Sequence, residues 1–208
     1  KSDDEVRNVI IYNQKHLVKF IHTQMVAHQY EETTEYDVVI SKGFTELKST
    51  AYTASDETDI IDYHKTDFDK SKIGRLLFGG FRKCLYPHVK FDSDTERRFA
   101  AILERESLKW FKPVKGQFQI FYRVENEHLE YIPDFVAECE EAIYMIETKA
   151  KNEITSQDVQ NKKESAVKWC SHATGHNLQN GGKIWKYLLL PHDEIKDNMT
   201  LQYYEAVY

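Results

Sequence analysis

The sequence predicts an α/β domain: a mixed β-sheet flanked by helices, with core order α-β-β-β-α-β, preceded by a smaller α+β segment. Three observations predict it. A capped, amphipathic helical pattern spans 93–108, and three β-type runs follow at about 117–124, 131–138 and 142–149. A second long helical pattern, starting at Thr155 or Ser156 and reaching about Ala173, then leads into a further apolar run at 184–190. A helix that carries the chain back between strands of one sheet implies mixed strand directions and covered faces.

The elements follow in order. Residues 14–29 place Leu17, Val18, Phe20, Ile21, Met25 and Val26 near the helical period, which predicts an amphipathic helix. Tyr36 to Phe44 reads as a strand that Gly43 closes, and the polar, acidic stretch 53–69 as a loop or linker. Ser71 is placed to cap a helix through Ile73, Leu76, Leu77 and Phe81, interrupted at Gly79-Gly80, with Pro87 marking a boundary. Ser93 or Asp94 caps the next helix, with Phe99, Ile102, Leu103 and Leu108 inward. The second long helix is apolar at Val159, Ala166, Val167 and Trp169.

Composition narrows the class. With 208 residues, 30% charged and 41% hydrophobic, plus 13 Tyr and 11 Phe against 4 Pro, the chain has the means to bury a core. No apolar run approaches the length of a membrane span. Cys84, Cys139 and Cys170 form no C-x-x-C, so neither a disulfide framework nor a four-ligand zinc site is expected, which fits a reducing cytoplasm. Cys170, His172 and His176 read as a helix end rather than a metal cluster. The chain opens Lys1-Ser2-Asp3-Asp4-Glu5 without Met or a signal-like segment, which suggests a piece of a larger polypeptide. The net charge of −6 hides a basic island: residues 70–115 hold 12 Lys/Arg against 5 Asp/Glu. Such an island suits a phosphate backbone, although a solvated helix face has the same composition.

Chemistry concentrates at Tyr131-Ile132-Pro133-Asp134-Phe135-Val136 and at Glu147-Thr148-Lys149. Side chains alternate along a strand, so Glu147 and Lys149 share a face opposite Thr148. If the two runs pair, Asp134 joins them, and Ile132, Phe135, Val136, Ile143, Met145 and Ile146 surround the charges. Apolar strands seldom carry inward charges without a partner or a metal. Two carboxylates suit Mg²⁺, and a lysine adds a cation near a phosphate or a water. Glu96, three residues before Phe99, borders the packed stripe of its helix, where it also suits the helix dipole. Gln157, Asn161, Lys162 and Lys163 lie on the early turns of the second long helix.

Glu96, Pro133-Asp134 and Glu147-Thr148-Lys149 on this element order resemble the PD-(D/E)XK nuclease superfamily with its restriction-endonuclease-like core. Phe91-Asp92-Ser93, Glu96-Arg97, Phe99, Lys109-Trp110, Lys112-Pro113, Tyr131, Pro133 to Val136, Glu147 to Ala150, Lys162-Lys163 and Trp169-Cys170 are more closely similar to the C-terminal nuclease region of type III restriction Res subunits, which are DEAD/DEAH-type helicase-nucleases. Residues 1–90 resemble the segment joining motor to nuclease there, and 91–208 the nuclease domain. The resemblance implies Mg²⁺, with Mn²⁺ able to substitute, held by Asp134, Glu147 and the Thr148 main-chain carbonyl. Lys149 would orient or deprotonate the attacking water, and Glu96 would complete or polarise the metal site. Arg97, Lys151, Lys162 and Lys163 are the implied DNA contacts, and Lys162 or Lys163 the supporting basic position. Implied partners are double-stranded DNA, a modification methyltransferase subunit and an upstream helicase in a bacterial or archaeal cytoplasm. No G-x-x-x-x-G-K-[ST] loop is present, so ATP enters only through that motor. Two other readings stay open: a non-catalytic docking module, and a nuclease acting on RNA or branched DNA.

Overall fold

A computed structural model describes residues 2–28, 46–50, 60–124 and 127–208. The strand expected at 36–44 lies outside the described residues. The first unit contains helices α1 (Asp3–Tyr12) and α2 (Gln14–His28). Ser2 and Glu5 form a reciprocal capping box at the start of α1. Asn13 closes α1 and passes the chain directly into α2, its carbonyl accepting from the Leu17 amide at 2.9 Å. The expected helix at 14–29 is thus present, and α1 is an additional helix before it.

The second unit carries the sheet. Its early part is β1 (Ile60–Asp62), a 3₁₀ turn (Lys70–Arg75) and β2 (Leu77–Gly79), with β1 and β2 parallel. The helix expected from Ser71 is therefore replaced by one short turn and a strand. Asp69, not Ser71, caps the turn, accepting from the Ser71 amide at 3.1 Å. Gly80, at φ +87°, ends β2 in a conformation costly for other residues, and a Cβ there would meet Asp62 Oδ2 at 2.6 Å. The strand residues Leu77 and Phe78 are buried rather than striped, so the run carried no periodicity to separate strand from helix.

Helix α3 (Asp94–Glu106) starts at Ser93, whose hydroxyl accepts from the Glu96 amide at 3.1 Å. It buries Phe99, Ile102 and Leu103 against the sheet, each worth roughly 2 kcal/mol of apolar burial. Leu108, expected inward, lies beyond the helix and is exposed. The sheet runs in the order β3 (Lys109–Phe111), β6 (Phe135–Glu138), β7 (Ala142–Lys149), β8 (Ile184–Pro191). Strands β3, β6 and β7 are successively antiparallel, and β8 lies parallel to β7. Helix α4 (Gln157–Gln179), capped by Ser156, makes the crossover from β7 to β8. A final helix, α5 (Leu201–Val207), follows.

The fold is the mixed α/β architecture expected, with one exchange of parts. The run at 117–124 does not enter the main sheet: β4 (Ile120–Val124) pairs only with β5 (Glu127–Tyr131) as a separate two-stranded ribbon. The first core strand is instead β3, three residues long and too short to show a period of two. Helix α4 runs past Ala173, so Cys170, His172 and His176 lie inside it, and Val167 faces solvent. Residues on both sides of position 90, where a domain division was expected, pack together. Ile73, Phe78 and Val89 share one core with Phe91, Phe99, Trp110 and Phe135. Glu104 helps to join these parts, accepting from the amides of Arg82 (2.6 Å) and Lys83 (3.0 Å) and from the Trp110 indole (2.8 Å).

Candidate active site

The antiparallel pairing of β6 and β7 ends at Phe135–Ile146, which brings Asp134 beside Glu147 and Thr148. Pro133 has no amide hydrogen to continue the ladder. The Asp134 side chain continues the contact instead, and its Oδ2 accepts from the Thr148 amide and the Thr148 hydroxyl, both at 2.8 Å. This satisfies a main-chain donor at the end of a buried strand, where an orphan would be costly. Thr148, expected to point away from the charges, thus contributes its hydroxyl to them, because Asp134 sits in the bend before β6 rather than in the pleat.

Glu147 is 3% exposed, so its charge depends on its immediate partners. Its Oε1 meets Lys149 Nζ at 2.9 Å, on the face that alternation assigned to both. Its Oε2 accepts from the Tyr131 hydroxyl at 3.0 Å. Burial first, then the nearby Asp134 carboxylate, pushes its pKa up to about 7, against the opposing pull of Lys149 and Tyr131. Burial works against the Lys149 ammonium, but Glu147 and Asp134 outweigh it and hold its pKa above the ordinary value. Lys149 therefore stays a cation while Glu147 carries its charge. Of the apolar residues expected around these groups, Phe135, Val136, Met145 and Ile146 are buried, whereas Ile132 is exposed and Ile143 half-buried.

Glu96 is buried in the first turn of α3, where its Oε2 forms a close ion pair with Lys112 and accepts from the Asp92 amide at 3.3 Å. Burial raises its pKa despite Lys112, and Asp134 adds to the rise, so Glu96 lies within electrostatic reach of the carboxylate pair. Among the described residues no three His, Cys, Asp or Glu side chains are grouped to hold a metal. Lys112, also 3.1 Å from Asp92, had no role assigned from sequence. Its neighbour Pro113 and the adjacent β3 were the available signal.

The four candidate DNA contacts separate. Arg97 is 5% exposed and bound to Asp94 (2.8 Å) and the Tyr63 carbonyl (2.9 Å). Much of the basic island is similarly committed: Lys70 pairs with Asp94, Arg98 with Asp197, and Lys112 with Glu96. Of these counterions, Asp94 and Glu96 belong to the island itself, and only Asp197 comes from outside it. Lys162 is held between Asp158 and the Tyr122 ring, while Lys163 is exposed on the same helix. Lys151 is largely exposed, 3.6 Å from Asp193.

The donor set fits Mg²⁺. It is all oxygen, with two carboxylates, and such sites complete their coordination with main-chain oxygens and water. Asp134 keeps Oδ1 without a hydrogen bond among the described residues, and Glu147 Oε1 faces the Lys149 ammonium. Residues 82–180 match the family model of an endonuclease domain. The match supports a restriction-type endonuclease domain and includes Glu96, Asp134, Glu147 and Lys149. No curated protein and no solved structure matches the chain. Among the described residues no helix is long and apolar enough to cross a membrane.

Proposed function

We propose that this chain hydrolyses DNA phosphodiester bonds in a divalent-metal-dependent reaction at Asp134, Glu147 and Lys149. The observation that supports it is the convergence of these three side chains at the end of β6 and β7. Asp134, Glu147 and the Thr148 carbonyl would hold Mg²⁺, with Mn²⁺ as a substitute. The ion, when bound, would supply charge neutralisation at the scissile phosphate and lower the pKa of a water. Asp134 and Glu147 hold their acceptor oxygens fixed, so no reorganisation is required when charge develops. Lys149, as an ammonium, orients the attacking water or the phosphate oxygen it faces. Glu96 of α3, ion-paired with Lys112, would complete or polarise the metal site. Lys151, Lys162 and Lys163 are the proposed backbone contacts.

In the finer reading the domain serves an ATP-dependent restriction helicase-nuclease of the type III kind, in which a separate motor translocates and a modification methyltransferase subunit chooses the sequence. The chain then shows little sequence preference of its own and works in a bacterial or archaeal cytoplasm. Incubation of plasmid DNA with Mg²⁺ tests the reaction. Cleavage leaving 5′-phosphate and 3′-hydroxyl ends, lost in Asp134→Ala, is expected. Cleavage that persists in excess EDTA would refute it.

A further inference from the structure

The two site carboxylates are held in the same unusual way. One oxygen of each is engaged by uncharged donors; the other has no hydrogen bond among the described residues in Asp134 and faces Lys149 in Glu147. Asp134 Oδ2 accepts two hydrogen bonds from Thr148, and Glu147 Oε2 accepts one from Tyr131. Tyr131 is 2% exposed and ends β5, the ribbon strand, so a fixed ring carries its hydroxyl to Glu147. Neither Tyr131 nor the Thr148 hydroxyl is needed as a ligand. Each determines which carboxylate oxygen remains for one.

We propose that Tyr131 and Thr148 are positioning residues that restrict Glu147 and Asp134 to one-oxygen coordination and so make the site select Mg²⁺ over Ca²⁺. This rests on the metal-dependent reading above. The physical reason lies in the coordination habits of the two ions. Ca²⁺ takes six to eight oxygens and readily accepts both oxygens of a carboxylate, whereas Mg²⁺ requires a small octahedral set and takes one. Hydrogen-bonding one oxygen of each carboxylate removes the two-oxygen mode that favours the larger ion. Partners of this kind, behind a metal ligand, commonly change metal affinity by about 10–100-fold when removed.

The test titrates Mg²⁺ and Ca²⁺ separately into DNA-free protein by calorimetry. Wild type should bind Mg²⁺ more tightly than Ca²⁺. Tyr131→Phe keeps the ring and removes only the hydroxyl, and should reduce the Mg²⁺/Ca²⁺ affinity ratio by about tenfold. Thr148→Val should shift the ratio in the same direction but less, since the main-chain amide still holds Asp134, and Thr148→Ser should restore it. An unchanged ratio in Tyr131→Phe, with Mg²⁺ still bound, overturns this inference and leaves the metal-dependent reading standing. Wild type that binds neither ion overturns both.

Discussion

Replacing Glu147 by Gln should make the metal-free protein more stable at pH 8 and leave it nearly unchanged at pH 4.5. The folded chain holds the Glu147 proton up to about pH 7, while the unfolded chain releases it near the ordinary 4.5. Between those values the native state binds more protons than the unfolded one, so wild-type stability falls as pH rises. The full span corresponds to about 3 kcal/mol at about 1.4 kcal/mol per pH unit. Gln imitates the protonated form at every pH and escapes this loss. Urea unfolding in EDTA of both proteins across pH 4.5–8 measures the difference, which cancels the titration of groups the two share. The advantage of Glu147→Gln should grow from near zero to about 3 kcal/mol, levelling off above pH 7. Added Mg²⁺ should then stabilise wild type more than the variant, because binding requires the carboxylate. A difference that does not vary with pH would refute the assignment of Glu147 as a buried, metal-ready acid.

Glu104→Ala should cost about 3 kcal/mol in urea unfolding, because it orphans the Arg82 and Lys83 amides and the Trp110 indole together. Lys112→Met should destabilise by a similar amount, about 3 kcal/mol, by leaving Glu96 buried without its cation, and adding Glu96→Gln should recover most of that loss. Arg97→Ala should lower stability while leaving the salt dependence of DNA binding unchanged. A fall of about one in the log–log slope, measured by fluorescence anisotropy, would instead make Arg97 a phosphate contact.

The parts of the fold that were legible are those with long, clean periods. Ser93 and Ser156 announced α3 and α4, and the apolar β7 and β8 declared themselves by length and β-branched or aromatic content. Strand β3 was hidden because three residues cannot display alternation, and its place was given to the run at 117–124, which pairs only with its own hairpin partner. In the site, alternation alone put Glu147 and Lys149 together. It could not show that Asp134 leaves the pleat to hold Thr148, or that Tyr131 reaches Glu147 from another ribbon, because both depend on tertiary placement. The same limit turned Arg97 from a surface candidate into a buried one: its partners Asp94 and Tyr63 lie three and 34 residues away.

The central claim is that Lys149 acts on the reaction at a metal site built by Asp134 and Glu147. The most direct measurement is the plasmid cleavage rate of Lys149→Ala against wild type, with Mg²⁺ raised until calorimetry shows equal occupancy. Wild type should cut and the variant, with its metal bound, should not. Equal cleavage by the two proteins would contradict it.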